Sequence, residues 1–288
     1  MIKNYFIVAL RQIIRNKSYS IINIGGLAIG LACCITIGIY IHHELSYDRF
    51  HSSNHIYRVT EVQEQADDLY AVAVTPGVLA KQLKDDFPVV EQTCRIGMYW
   101  QAPVFSVDEK SVESGRILIT DNGFFSIFNF PLLYGDTTSA LLNPDDVVLT
   151  EKMAIAMFGP DWKNKNVIGK EIVLNQNRTL TIVAIARNPP ENSHLQFEAL
   201  LSMKHEEKSS SNFGWNSNNF HTYITLDPNA NVSALEKSIF RYLDNFDKEK
   251  KTSLHLQPVE DIYLHSNFDF HTDWSSTVAF YTLKSSLP

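Results

Sequence analysis

Acidic residues are absent from the first 43 positions of this 288-residue chain, and no formal charge falls between Ser18 and Ile41. The first absence leaves Lys3, Arg11, Arg15 and Lys17 unbalanced ahead of the uncharged run. The second excludes an ordinary surface helix there, because such a helix keeps a polar face. Cysteine is scarce: Cys33 and Cys34 lie inside the run, and Cys94 stands alone after it. One thiol cannot close an internal bridge, so the rest of the chain folds on its core even in an oxidising compartment. Signatures of chemistry are missing too. The nearest approach to a phosphate-binding G-x-x-x-x-G-K-S/T loop, Gly169-Lys170-Glu171, lacks the hydroxyl that would hold magnesium, which excludes ATP hydrolysis by that route. Neither a G-x-S-x-G elbow nor an H-E-x-x-H helix is present. The sequence therefore predicts no catalytic residue, no cofactor and no metal site.

The uncharged run itself is the strongest feature. From Ile21 to Ile41, 15 of 21 residues are apolar, and at about 1.5 Å per residue a helix over them is roughly 31 Å long, the thickness of a bilayer's hydrocarbon. It reads as a membrane helix over residues 18–42. Basic residues precede it and a nearly neutral segment follows, which puts the N-terminus in the cytoplasm and the remainder outside. A cleaved signal would have a shorter apolar region ending in small residues, whereas this one runs into Tyr40-Ile41-His42-His43. Within it Gly26, Gly30, Cys34 and Gly38 recur every fourth residue, a ridge on which a second helix can pack closely. Residues 1–17 form a basic amphipathic helix, with Ile2, Tyr5, Phe6, Ala9, Leu10 and Ile13 on one side and Arg11 and Arg15 opposite. Such a helix lies in the lipid interface.

Beyond the membrane the composition changes. The net charge of −7 becomes −11 once the four basic residues of the first 17 are set aside, a balance that excludes nucleic acid as a partner. Strands are expected at Ile56–Val62, Tyr70–Val74, Thr93–Tyr99, Val104–Val107, Arg116–Ile119, Val147–Leu149, Phe197–Met203, His221–Leu226 and Ser253–Val259. Pro76 should open a helix that Phe87-Pro88 stops, and Asp121 should cap a short one. Thr150 caps a helix over Glu151–Phe158, with Gly159 ending it. Glu171–Leu174 and Thr179–Ala186 make a hairpin around Asn175-Gln176-Asn177, and a further helix begins near Ser233. Strands and short helices alternate irregularly. The class is α+β, a mixed-sheet domain over residues 43–270 with βαβ-like elements and two lobes, followed by a tail over 271–288. Ser209–Asn212 and Asn216–Asn219 read as a flexible loop between the lobes.

Candidate chemistry is thin. His51 and His55 would share a helix face near His42 and His43, but no cysteine accompanies them, and histidines at a membrane surface give the same pattern. His194 sits on a turn and, as a lone histidine, reads as structural or solvated. The adjacent pairs Asp67-Asp68 and Asp85-Asp86 point to different sides and suit a turn and a helix end. Trp100, Trp162, Trp215 and Trp274 belong to core or rim.

A resemblance adds what spacing cannot. Residues 9–17 and Asn23-Ile24-Gly25-Gly26-Leu27-Ala28-Ile29-Gly30 resemble the opening of FtsX-like ABC transporter permeases with a MacB-like periplasmic core domain. Glu44-Leu45-Ser46-Tyr47-Asp48-Arg49-Phe50-His51 and Ile56-Tyr57-Arg58-Val59 are similar to the Bacteroides-type form. Thr75-Pro76-Gly77, Phe130-Pro131-Leu132-Leu133, Asn188-Pro189-Pro190-Glu191-Asn192-Ser193-His194 and Ile262-Tyr263-Leu264-His265-Ser266 follow in the family's order, to about residue 267. The resemblance implies a permease subunit of the inner membrane, in contact with lipid and driven by a separate cytoplasmic ATPase. A second permease copy would complete it, as homodimer or related heterodimer. Its domain would act on substrate or on a periplasmic or outer-membrane partner. Family members continue into further membrane helices; none precedes Pro288, so a truncated subunit that does not transport alone is expected. The alternative is a single-pass anchored periplasmic sensor or binding module.

Overall fold

The computed structural model describes residues 2–51, 55–65, 68–99, 102–208, 213–247, 251–266 and 268, and divides into two compact units, one ending at Tyr47 and one starting at Asp48. Asp67, Trp100, Ser209–Asn212, Trp274 and the expected tail lie outside the described residues.

The first unit is two helices. α1 (Ile2–Arg15) and α2 (Lys17–Glu44) meet at Asn16, whose φ of −108° and ψ of 58° leave the helical region. Ser20 Oγ donates to the Ile13 carbonyl at 3.1 Å across the break. Basic residues recur through α1, while α2 is apolar all round, long enough at 28 residues to cross a membrane, and has no buried residue. A helix apolar on every side needs an apolar surrounding.

The second unit is built on one continuous sheet. In chain order its elements are β1 (Ile56–Gln65), β2 (Asp68–Val72), β3 (Thr75–Pro76), α3 (Leu79–Asp86), β4 (Val90–Met98), β5 (Val104–Val107), β6 (Lys110–Glu113), β7 (Ile117–Thr120), α4 (Phe124–Ile127), β8 (Leu132–Tyr134) and β9 (Asp146–Thr150). There follow α5 (Glu151–Phe158), β10 (Glu171–Leu174), β11 (Arg178–Ala186), β12 (Ala199–Ser202), α6 (Met203–Glu206), β13 (Asn218–Leu226), α7 (Val232–Ile239), β14 (Lys251–Pro258) and α8 (Ile262–His265). The sheet runs β14-β1-β13-β4-β7-β12-β9-β11-β10-β5-β6, with β2, β3 and β8 attached to β1, β13 and β11. Two pairs are parallel, β7 with β12 and β9 with β11. The chain between β9 and β11 passes through α5, which gives the expected βαβ-like unit in a mixed sheet.

Alternation decides which side each residue packs on. Val147 and Leu149 of β9 join one core, with Met153, Met157 and Trp162, while Val148 joins another on the opposite face with Phe124, Phe128, Phe130 and Phe197. Both faces are covered, so β7, β9 and β12 read as unbroken apolar runs. A third core, of Val59, Leu79, Leu83, Leu235, Ile239 and Leu254, lies at the β14-β1-β13 end. Helix α5 has the bounds expected: Thr150 Oγ1 accepts from the Met153 amide at 3.3 Å, and Gly159 leaves it at φ 89°. Gly135, at φ 96°, is required by close approach, since a Cβ there would stand 2.6 Å from that of Ala184.

Three local expectations are corrected. Thr75-Pro76 is not a helix start but a short strand on β13, held by Thr75 Oγ1 donating to the Phe220 carbonyl at 3.1 Å, and α3 begins at Leu79. Asp121 does not cap α4 with its side chain, because Arg95 occupies that carboxylate. Asn218 and Asn219 open β13 and are not loop.

Candidate functional site

The small residues at every fourth position of α2 are open. At Gly26, Gly30 and Gly38 no heavy atom lies within 4 Å of where a Cβ would stand, and Cys34 is exposed. Small side chains there leave backbone accessible to a neighbour.

The second unit begins with a buried charge. Asp48 follows Glu44, the last residue of α2, by four positions and is 2% exposed. Its φ of 56° is in the left-handed region that glycine or asparagine occupies more easily. The side chain accounts for the choice. Asp48 Oδ1 accepts from Ser193 Oγ at 3.1 Å and from the His194 amide at 3.0 Å, and His194 Nδ1 stands 2.8 Å away. The Asp48 amide donates to the Asn192 carbonyl at 2.9 Å. On its other ring nitrogen, His194 Nε2 lies 2.9 Å from the Tyr223 hydroxyl. Asp48, the first residue of the second unit, is thus tied to the Asn188–Ser193 turn and, through His194, to β13.

His51 completes this cluster. It is buried against Phe50, Phe128 and Phe130, and its Nδ1 accepts from the Asn129 amide at 3.2 Å. Nε2 therefore carries the proton and faces Asp48 Oδ1 at 4.0 Å. Burial pushes the His51 imidazole down to about 4, with Asp48 opposing the fall and His194 adding to it. His51 and His55 both lie outside helices, so the shared helix face expected of them does not form. Among the described residues no group of three histidine, cysteine or acidic side chains is placed to hold a metal.

The trailing end of the domain has its own buried charge. Arg58 on β1, 0% exposed, donates through Nη2 to Gln257 Oε1 at 2.8 Å and to Ser266 Oγ at 3.1 Å, with the Phe268 ring 5.1 Å from its guanidinium. A cavity of about 320 Å³ is lined from both ends of the domain, by Asp48 and His51 and by Val259, Glu260 and Asp261. Arg49 and Glu260 pair across the surface there at 3.8 Å.

A third charged cluster borders an open cleft of about 860 Å³ between α3 and α4. Arg95 on β4 grips Asp121 with two nitrogens, at 3.0 and 2.7 Å, donates to the Gly77 carbonyl at 3.0 Å and meets Glu207 at 2.6 Å. Burial works against its charge, but Asp121 and Glu207 outweigh burial and hold the guanidinium protonated. Lys81, Gln92, Asn122, Thr138 and Trp215 also line the cleft. Cys94 beside it is fully buried, and burial pushes its thiol up, away from reactivity.

Sequence reasoning missed Asp48, Arg58, Arg95, Tyr223 and the role of His194. The one available signal was that the Glu44–His51 and Asn188–His194 segments each carried an ionisable residue that no local element needed.

Comparison with known proteins agrees with this architecture. Residues 20–242 match the family described as MacB-like periplasmic core domain. A domain of a protein described as a permease of Porphyromonas gingivalis shares the fold at a TM-score of 0.62 and 20% identity, over 71% of this chain and 90% of that one. The periplasmic region of MacB from Actinobacillus actinomycetemcomitans aligns at 0.53 and 15% identity, over 74% and 92%. No curated protein matches the sequence. With more than half its length matched by the family and the fold shared with those domains, this chain belongs to the MacB-like periplasmic core domain family.

Proposed function

We propose that this chain is a permease-family subunit of an ABC-type transporter or mechanotransmission system, in which motion of an N-terminal membrane helix is passed to a domain on the periplasmic side of the inner membrane. The observation that carries the reading is the junction: an apolar helix of 28 residues leads within four positions to a carboxylate buried in the domain. A flexible linker would absorb motion, whereas a buried, fully bonded residue passes it on. Supporting partners are a separate cytoplasmic ATPase, since the sequence has no phosphate-binding loop, and a second permease copy on the Gly26, Gly30, Cys34 and Gly38 ridge. Lipid meets the faces of α2 away from that ridge, and α1 at the interface. The domain's target is a substrate or a periplasmic or outer-membrane partner.

Orientation is tested by fusion. Alkaline phosphatase joined after Phe50 should be active, and an inactive fusion with an active cytoplasmic reporter at that site overturns the topology. Purified residues 1–288 should hydrolyse no ATP and should recover a cytoplasmic ABC ATPase from the source membrane. The open cleft beside Arg95 favours a second reading, an anchored binding module. Recovery of a tight small ligand without any ATPase would select it.

A further inference from the structure

Two runs of polar side chains, one reaching each end of the domain, lie side by side on three neighbouring strands. Tyr223 on β13 is the register partner of Arg58 on β1, and Arg58 is the register partner of Gln257 on β14. Direct partners in antiparallel strands put their side chains on one face, so these three stand in line across roughly 10 Å of sheet. At one end of the line the Tyr223 hydroxyl meets His194, which meets Asp48 at the start of the domain. At the other end Arg58 and Gln257 both donate to Ser266 Oγ, at 3.1 Å each, where the chain leaves the sheet after α8. Ser266 itself donates to the Ile262 carbonyl at 2.5 Å. Apolar packing flanks the row, with Ile56, Phe128, Tyr223, Val259 and Ile262 in one core, while Gln257 is half-buried.

An apolar row of the same volume would pack as well, and burying a carboxylate, an imidazole and a guanidinium carries a desolvation cost that hydrophobic residues avoid. What buried hydrogen-bonded charges supply is a single permitted geometry, because any displacement leaves a group unsatisfied. We propose that Asp48, His194, Tyr223, Arg58, Gln257 and Ser266 form a coupling bar that makes the leading and trailing ends of the domain one mechanical unit. Force applied at Asp48 is then felt at Ser266, and the reverse. This inference deepens the coupling role proposed above and takes its meaning from it.

Reciprocity is the test, since coupling between two sites must act equally in both directions. The full chain in detergent micelles is followed by backbone hydrogen exchange at the leading end (Asp48–His51) and the trailing end (Val259–Ser266). Tyr223→Phe removes one hydroxyl from the middle of the row and keeps the ring in its core. It should speed exchange at both ends by about tenfold, with β9 and β11 unchanged. Asp48→Ala should loosen the trailing end, and Arg58→Met the leading end, by similar factors. Loosening confined to the substituted end, no change in Tyr223→Phe, or equal acceleration of β9 and β11 overturns the bar. No ATPase enters this measurement, so its failure leaves the permease reading standing, to be judged by ATPase recovery.

Discussion

Asp48 and Asp121 are both carboxylates that hold a cationic or imidazole partner, and the difference between them shows what each region of the domain is for. Asp121 sits at a cleft, its side chain 21% exposed, against a guanidinium that also has Glu207 and the Gly77 carbonyl. Water can replace any of those contacts. The Asp48 side chain is 0% exposed, and the Ser193 hydroxyl, the His194 amide and the His194 ring all turn to it. Nothing can replace it. The cleft side can exchange contacts with water, whereas Asp48 is held in one geometry.

The sharpest way to break this comparison is to remove both carboxylates in turn. Asp48→Ala leaves the Ser193 hydroxyl and the His194 amide without an acceptor and the His194 ring without its charged neighbour, and should cost about 3–5 kcal/mol, lowering the Tm of the domain by roughly 10 °C in calorimetry. Acidification is next. His51 titrates at 6.5 when unfolded and at about 4 when folded, so as pH falls the unfolded chain takes up the proton first. Its contribution is complete above 6.5 and is lost between 6.5 and 4, by up to about 3 kcal/mol. Denaturant titrations at pH 7 and pH 4.5 should show this loss, and His51→Gln should reduce it. Asp121→Ala should cost only about 1–2 kcal/mol, because Arg95 keeps two partners and gains water. The smallest effect is expected at Lys81, whose side chain is 82% exposed in its pair with Asp85 on α3. Lys81→Ala should change stability by less than about 0.5 kcal/mol. A cost at Asp121 equal to that at Asp48 would remove the distinction between cleft and junction.

Signals confined to a few neighbouring residues were legible in the sequence. The uncharged run gave α2, the Thr150 and Gly159 caps gave α5 to the residue, and the Asn175-Gln176-Asn177 turn gave the β10–β11 hairpin. Pairing over long separations was not legible. Thr75 reaches Phe220 across 145 positions, and no local rule shows that a strand partner there will outbid Pro76 as a helix opener. Asp121 looked like a cap because its competitor, Arg95, is 26 positions away. Asp48 and His194, 146 positions apart, each looked ordinary, since burial and not residue type makes the pair distinctive. The cleft, formed where α3 and α4 border β4, has no motif at all.

The central claim is that the domain holds its first residues in one fixed geometry, and one amide reports on it directly. The Asp48 amide, bonded to the Asn192 carbonyl at 2.9 Å, can be followed by hydrogen exchange in the unmodified full chain. Protection matching that of Val148 in the central strand β9, with exchange only on global unfolding, is the predicted result. Exchange as fast as that of the turn at residues 45–47 would contradict the claim, for the leading end of the domain would then be loose.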